Sequence, residues 1–169
     1  MRIHLIALAA LILGCNPTSE SIDQSDSSPR NALPVEASTA LRDGDSFELL
    51  SLDPTHGADE SDGEEFHHWR VLGVARIEKA AVRTDLLNAF GAGVAANDGT
   101  VAACFNPRHG IRVIHEGNLY EFVICFECYS AKWFKNGVRN HGFLTTGLPQ
   151  PKFDRALRGA GIKLPEPAR

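Results

Sequence analysis

Apolar residues recur along the chain with two different periods. Val82, Leu86, Phe90 and Val94 fall every four residues between Lys79 and Ala96, which aligns them in one stripe along a helix. Elsewhere the spacing is that of strands. An apolar segment at Phe47 to Leu52 and a longer one at Phe66 to Ile77 (FHHWRVLGVARI) precede the helix, with Trp69, Val71 and Gly73 on one face of the second. After the helix, Thr100 to Phe105 and Ile111 to His115 read as strands joined by a turn at Asn106 and Pro107, and Ile111 and Val113 alternate with Arg112 in the second. Glu116-Gly117-Asn118 predicts a hairpin turn into Leu119 to Phe134 (LYEFVICFECYSAKWF), a run rich in β-branched and aromatic residues. That run far exceeds the usual strand of about five or six residues, so a bend or bulge is expected within it. Asn136-Gly137 is the strongest hairpin signal in the chain, because both positions accept the left-handed conformation. It leads to a last strand near Val138 to Leu144. Pro151 suits the first turn of a C-terminal helix carrying Phe153, Ala156, Leu157 and Ala160 on one face and ending near Gly159 and Gly161. This order predicts the α+β class: a mainly antiparallel sheet of about five strands, with one long helix packed on it and a short C-terminal helix.

Upstream the pattern is different. The segment MRIHLIALAALILGC carries Arg2, then nine apolar residues from Leu5 to Leu13, then Gly14 and Cys15. Such a run falls well short of the ~20 residues that cross a hydrocarbon core as a helix, and its layout is that of a secretory signal peptide over residues 1–14. Ile12-Leu13-Gly14-Cys15 resembles the lipobox of bacterial lipoproteins. The resemblance implies acylation at Cys15, membrane lipid as the partner of that N-terminus, and a place in the bacterial cell envelope. Asn16, standing where Asp is absent, implies the outer membrane. Asn16 to Ala40 contains six serines, two threonines and three prolines with no regular apolar period. Residues 15–41 therefore read as the lipidated cysteine and a disordered acidic linker, spanning roughly 25–30 Å, and residues 42–169 as a single small domain. The acidic run His56 to Glu65 (HGADESDGEE) lacks the spacing of a calcium loop and reads as exposed.

Charge divides the chain at that run. Asn16 to Glu65 has thirteen acids and two bases, whereas Phe66 to Arg169 has eight acids and fourteen bases. The basic half shows no dense cluster with interleaved aromatics, which argues against nucleic acid as a partner. Hydrophobic residues at 43% and charged residues at 22% exclude a wholly disordered or collagen-like chain.

Candidate chemistry gathers in one cluster. Cys104, His109, Cys125 and Cys128 spell C-x4-H-x15-C-x2-C, a donor set that suits Zn²⁺ or Cu(I), since thiolates are soft ligands and d¹⁰ ions accept tetrahedral geometry. In one extended strand, however, Cys125 and Cys128 would point to opposite faces, and both reach one centre only if a bulge intervenes. Three readings stay open: buried thiols or a disulfide, a metal site, and a redox pair. The helix that follows the first cysteine in thioredoxin-like sites has no counterpart, because Tyr129 to Phe134 reads as strand. Tyr129 also occupies the position where haem attachment needs histidine. Asn106 to Gly110 (NPRHG) sets Arg108 and His109 on a turn beside Cys104, with His115 on the neighbouring strand. His67 and His68, adjacent in a strand, face opposite ways. Gly91 to Ala96 satisfies G-x-G-x-x-A but ends a helix instead of following a strand. No catalytic residue can be assigned from known motifs.

CFNPRHGI at 104–111 and ICFEC at 124–128 are similar to a pair of motifs in small, uncharacterised bacterial proteins, many of them lipoproteins. The resemblance covers about Phe47 to Leu164 and implies no activity. The expectation is an envelope lipoprotein whose Cys/His cluster is structural or metal-binding. A thiol-disulfide or metal-handling enzyme on the same residues, or a pure interaction module, is the alternative. Substituting Cys15→Ser in the full chain is expected to move the protein from the membrane fraction to the soluble fraction in high salt, and continued partitioning with membranes would refute the anchor.

Overall fold

Left-handed turn residues set the order of the strands. The computed structural model describes residues 32–57 and 63–166. Cys15, the signal segment and the linker up to residue 31 lie outside the described residues, as does the middle of the acidic run. Three hairpins turn on two residues that both have positive φ: His67 and His68 (50° and 74°), Glu116 and Gly117 (48° and 73°), and Asn136 and Gly137 (49° and 78°). This geometry matches the right-handed twist of the strands it joins. The three turns connect β2 (Glu65–Phe66) to β3 (Trp69–Arg76), β4 (His109–His115) to β5 (Asn118–Cys125), and β6 (Ser130–Lys135) to β7 (Val138–Arg139). With β1 (Ser46–Gly57) in the middle, the order is β2-β3-β1-β4-β5-β6-β7, and β8 (Phe143–Leu144) pairs with β6. Every pairing is antiparallel.

The α+β class and the antiparallel sheet agree with the sequence, but the element count does not. Eight strands replace the expected five among the described residues. The expected strand Phe66–Ile77 is broken by the His67-His68 turn, so those histidines are hairpin residues and not strand neighbours. The last strand is interrupted, giving β7 and β8 along the same edge of β6. Thr100 to Phe105 forms no strand. Its backbone is held instead by Asn97, whose Nδ2 donates to the carbonyls of Thr100 and Thr145 at 2.9 and 2.7 Å, and by the Ala102 amide donating to the Cys128 carbonyl at 3.1 Å.

Helix α2 (Ala80–Ala95) lies where the four-residue stripe put it, and Leu86, Phe90 and Val94 are buried. Helix α3 (Gln150–Gly159) buries Phe153 and Leu157. A third helix, α1 (Val35–Asp43), occupies the end of the expected linker. Ala37, Ala40 and Leu41 are its buried residues, at the i, i+3, i+4 spacing of a narrow apolar face. Arg83 of α2 donates to the carbonyls of Leu41 and Gly44, satisfying the open end of α1. Glu36 accepts from Tyr120 Oη and Lys135 Nζ at 3.1 and 2.6 Å.

Alternation gives the sheet two different faces. Phe47, Leu49, Ile111, Val113, Tyr120, Phe122, Ile124, Ala131 and Trp133 pack under the helices around Phe90 and Phe153. The opposite face carries a smaller cluster of Leu50, Leu52, Phe66 and Val123. Gly93 in α2 permits close approach of the chain before α3, because a Cβ there would meet Pro149 Cγ at 2.5 Å. Phe90→Ala, which empties the centre of the helical face, is expected to cost about 3–5 kcal/mol in urea unfolding. Val82→Ala on the same helix, at a position 37% exposed, is expected to change stability by about 0.5 kcal/mol or less. Equal effects of the two would contradict this placement of the core.

Candidate functional site

The C-x2-C pair is shaped by a turn that the sequence conceals. Strand β5 ends at Cys125, which pairs with Ser130, and Phe126 to Tyr129 form a four-residue loop with Tyr129 in the left-handed region (φ 56°). The single extended strand expected through both cysteines is therefore replaced by a hairpin. Phe126 turns inward, its ring centroid 5.0 Å from Phe153 and 6.1 Å from Phe90. Cys128 returns beside Cys125. The two are joined in a disulfide with Cα atoms 5.1 Å apart, and both are buried.

Cys104 completes a group of three sulfurs. Its thiol is free and exposed, and its Sγ stands 3.5 Å from Cys128 Sγ. Two contacts hold the intervening chain against the disulfide loop. The Ala102 amide donates to the Cys128 carbonyl at 3.1 Å, and the Asn106 amide donates to Cys128 Sγ at 3.4 Å. On the other sulfur, the Cys128 amide donates to Cys125 Sγ at 3.2 Å, and the Asn106 carbonyl oxygen is 3.3 Å from the same atom. The free thiol is thus registered on Cys128, and Cys125 has one backbone donor and one backbone acceptor in contact.

His109 lies apart from this group. It is the first residue of β4 and pairs with Ile124, so its ring faces the helices, while Cys125 falls on the alternate side of β5. Its Nε2 is 2.9 Å from Asp154 Oδ1 of α3, and its ring packs on Phe126 and Phe153. Arg108 pairs with Glu127, inside the C-x2-C loop, at 3.1 Å. Among the described residues no group of three or more His, Cys, Asp or Glu is arranged to hold a metal ion. Three of the four residues proposed as Zn²⁺ or Cu(I) ligands are together, two of them already bonded to each other, and the histidine is engaged elsewhere. His115 lies near Tyr120, at 6.4 Å between ring centroids. Asp154 and Glu127 have no signal in the sequence, because their partners are brought close only by the fold.

On the same side of the sheet as Cys125, Glu121 forms the centre of a charged network. Its Oε2 is 2.9 Å from His67 Nε2 and its Oε1 is 3.3 Å from Arg112 Nε. Arg112 also reaches Glu48 and Glu64, each at 3.4 Å, and the His67 ring stacks on Phe134 with centroids 3.6 Å apart. Burial alone would raise the Glu121 carboxyl, but hydrogen bonds and charge from His67 and Arg112 outweigh it and hold the group below the usual range. A carboxyl depressed on folding stabilises the protein above its unfolded pKa, and that contribution is lost as pH falls through the folded value.

No family model matches the chain, and no curated protein or solved structure matches it.

Glu121→Gln is expected to lower stability at pH 7 by about 1–3 kcal/mol and to flatten the loss of stability below about pH 4.5. Urea unfolding of both proteins at pH 7 and pH 3 checks this, and parallel pH profiles would contradict it.

Proposed function

We propose that this domain carries out thiol-disulfide exchange, with Cys104 as the exposed reactive thiol and Cys125–Cys128 as the resident disulfide. The observation that carries the reading is the 3.5 Å separation of Cys104 Sγ from Cys128 Sγ. Exchange proceeds by attack of a thiolate on a disulfide sulfur. Here the Cys104 thiolate attacks Cys128 Sγ, the Cys104–Cys128 bond forms, the Cys125–Cys128 bond breaks, and the electron pair leaves on Cys125. The Cys128 amide, 3.2 Å from Cys125 Sγ, supports the departing thiolate. Once Cys125 takes a proton from water, its thiol has the Asn106 carbonyl as acceptor at 3.3 Å.

The new disulfide has one exposed sulfur. A substrate thiolate attacks Cys104 Sγ, forming a mixed disulfide and releasing Cys128. A second substrate thiolate attacks the substrate sulfur and releases Cys104. Two substrate thiols are oxidised to a disulfide and Cys125–Cys128 is reduced to two thiols, so electrons balance. The metal-centre reading is less well supported, since it needs thiolates at Cys125 and Cys128 and the imidazole of His109 at one point. The signal segment and lipobox-like Cys15 give the same reading an address, because the bacterial envelope is a compartment where disulfides persist. The acyl chains on Cys15 would hold the domain at a membrane surface.

Cys104→Ser is expected to leave the Cys125–Cys128 disulfide intact while slowing its reduction by dithiothreitol roughly tenfold, since the remaining sulfurs are buried and access limits exchange. Acid-quenched peptide mapping of the wild-type chain is expected to find a Cys104–Cys128 linkage. Equal reduction rates, with no such linkage, would overturn the proposal and leave the disulfide as a brace for the loop.

A further inference from the structure

The exchange reading of Cys104 is the premise here, and the surface beside it indicates the class of thiol it meets. Phe105 follows Cys104 and forms one wall of a cavity of about 180 Å³ together with Trp69, Val123 and Phe134, and His67, His68, Lys132 and Arg139 complete the lining. The walls are apolar and aromatic, with the His67 imidazole stacked on Phe134. Lys132 Nζ stands 3.7 Å from the centroid of the Phe105 ring, a cation resting on a π face. Arg139 is close enough for its charge, after burial, to lower Lys132 from its usual range. The lining contains no carboxylate, and among the described residues no ion pair reaches either cation. Glu121, which lies behind the lining residue His67, is committed to His67 and Arg112.

Lys132, half-buried, and the exposed Arg139 put positive charge at this cleft, and charge complementarity favours an anion entering it. The volume is below the range that takes a drug-sized ligand, so the cleft accommodates a small acid and not a folded chain. We propose that it binds the carboxylate of a small anionic thiol or disulfide, seating the acid between Lys132 and Arg139 and bringing the ligand's sulfur to Cys104. In the exchange with a disulfide, the Cys104 thiolate attacks one ligand sulfur. A mixed disulfide forms, the ligand S–S bond breaks, and the second half leaves as a thiolate that takes its proton from water.

Three disulfides of similar length and different charge test this on the full chain: dithiodipropionate, hydroxyethyl disulfide and cystamine. Modification of Cys104, followed by mass spectrometry, is expected to be about tenfold faster with dithiodipropionate than with the neutral reagent and slowest with cationic cystamine. The double substitution Lys132→Gln and Arg139→Gln is expected to bring the anionic rate level with the neutral one. Thiodipropionate, a thioether that cannot exchange, is expected to compete with dithiodipropionate and to shift the Trp69 indole N–H signal in NMR. Equal rates for all three reagents, with no Trp69 shift, would overturn the anion cleft while leaving exchange at Cys104 intact. Failure of every reagent to modify Cys104 would overturn the exchange reading and this proposal with it.

Discussion

The insertion of Phe126 between α2, α3 and the sheet is the contact on which the rest of the arrangement depends. Its ring meets Phe90, Phe153 and His109 at centroid distances of 6.1, 5.0 and 5.2 Å. A large aromatic residue in a hairpin loop would ordinarily face water. Here the loop is pulled onto the core, and the cysteines on either side of Phe126 and Glu127 are carried into positions from which they can bond. The same aromatic cluster fixes the start of β4, because His109 packs in it and reaches Asp154 of α3. The chain just before His109 is the segment that brings Cys104 and Asn106 to the disulfide. Core packing and sulfur geometry are therefore linked: the segment before His109 that places Cys104 beside Cys128 is anchored in the same aromatic cluster as the disulfide loop.

The two faces of the sheet divide the labour. Under the helices the contacts are apolar and aromatic, and burial supplies the stabilisation at roughly 25 cal/mol per Å². On the other face a network centred on Glu121 and Arg112 surrounds a small apolar patch. Breaking a partly buried ion pair leaves an uncompensated charge, so removing one partner of that network costs more than the intact pair contributes. The cysteines sit where these regimes meet, at the end of β5.

Helix α2 was legible because Leu86, Phe90 and Val94 keep a helical period over several turns, and the hairpins at Gly117 and Gly137 were legible because their residues accept positive φ. Helix α1 was not, since three buried residues among Ser, Thr and Ala resemble a linker. The loop after Cys125 escaped for the converse reason: Phe126 to Tyr129 contains none of the usual turn residues, and its conformation is imposed by tertiary packing of Phe126. The Cys104 contact could not be read from strand pairing, because Thr100 to Phe105 forms no strand and is held in place by Asn97 and by the Ala102 amide on the Cys128 carbonyl. The separation of His109 from the sulfurs required strand phase, which is set by register and cannot be read while the start of β4 is unknown.

Strands β4 to β7 form an uninterrupted meander in which each strand pairs with its neighbour in sequence. Short-range pairings of this kind form early, because little loop entropy is lost in closing them. Strand β1, by contrast, must find β4 across more than fifty intervening residues. The order of assembly then chooses among the possible cysteine pairings. Cys125 and Cys128 are brought together by their own hairpin, whereas Cys104 reaches Cys128 only when the segment that precedes β4 docks. A newly made chain meeting an oxidant is thus biased toward closing the local pair first, and the thiol left over is the one that the finished fold places at its surface.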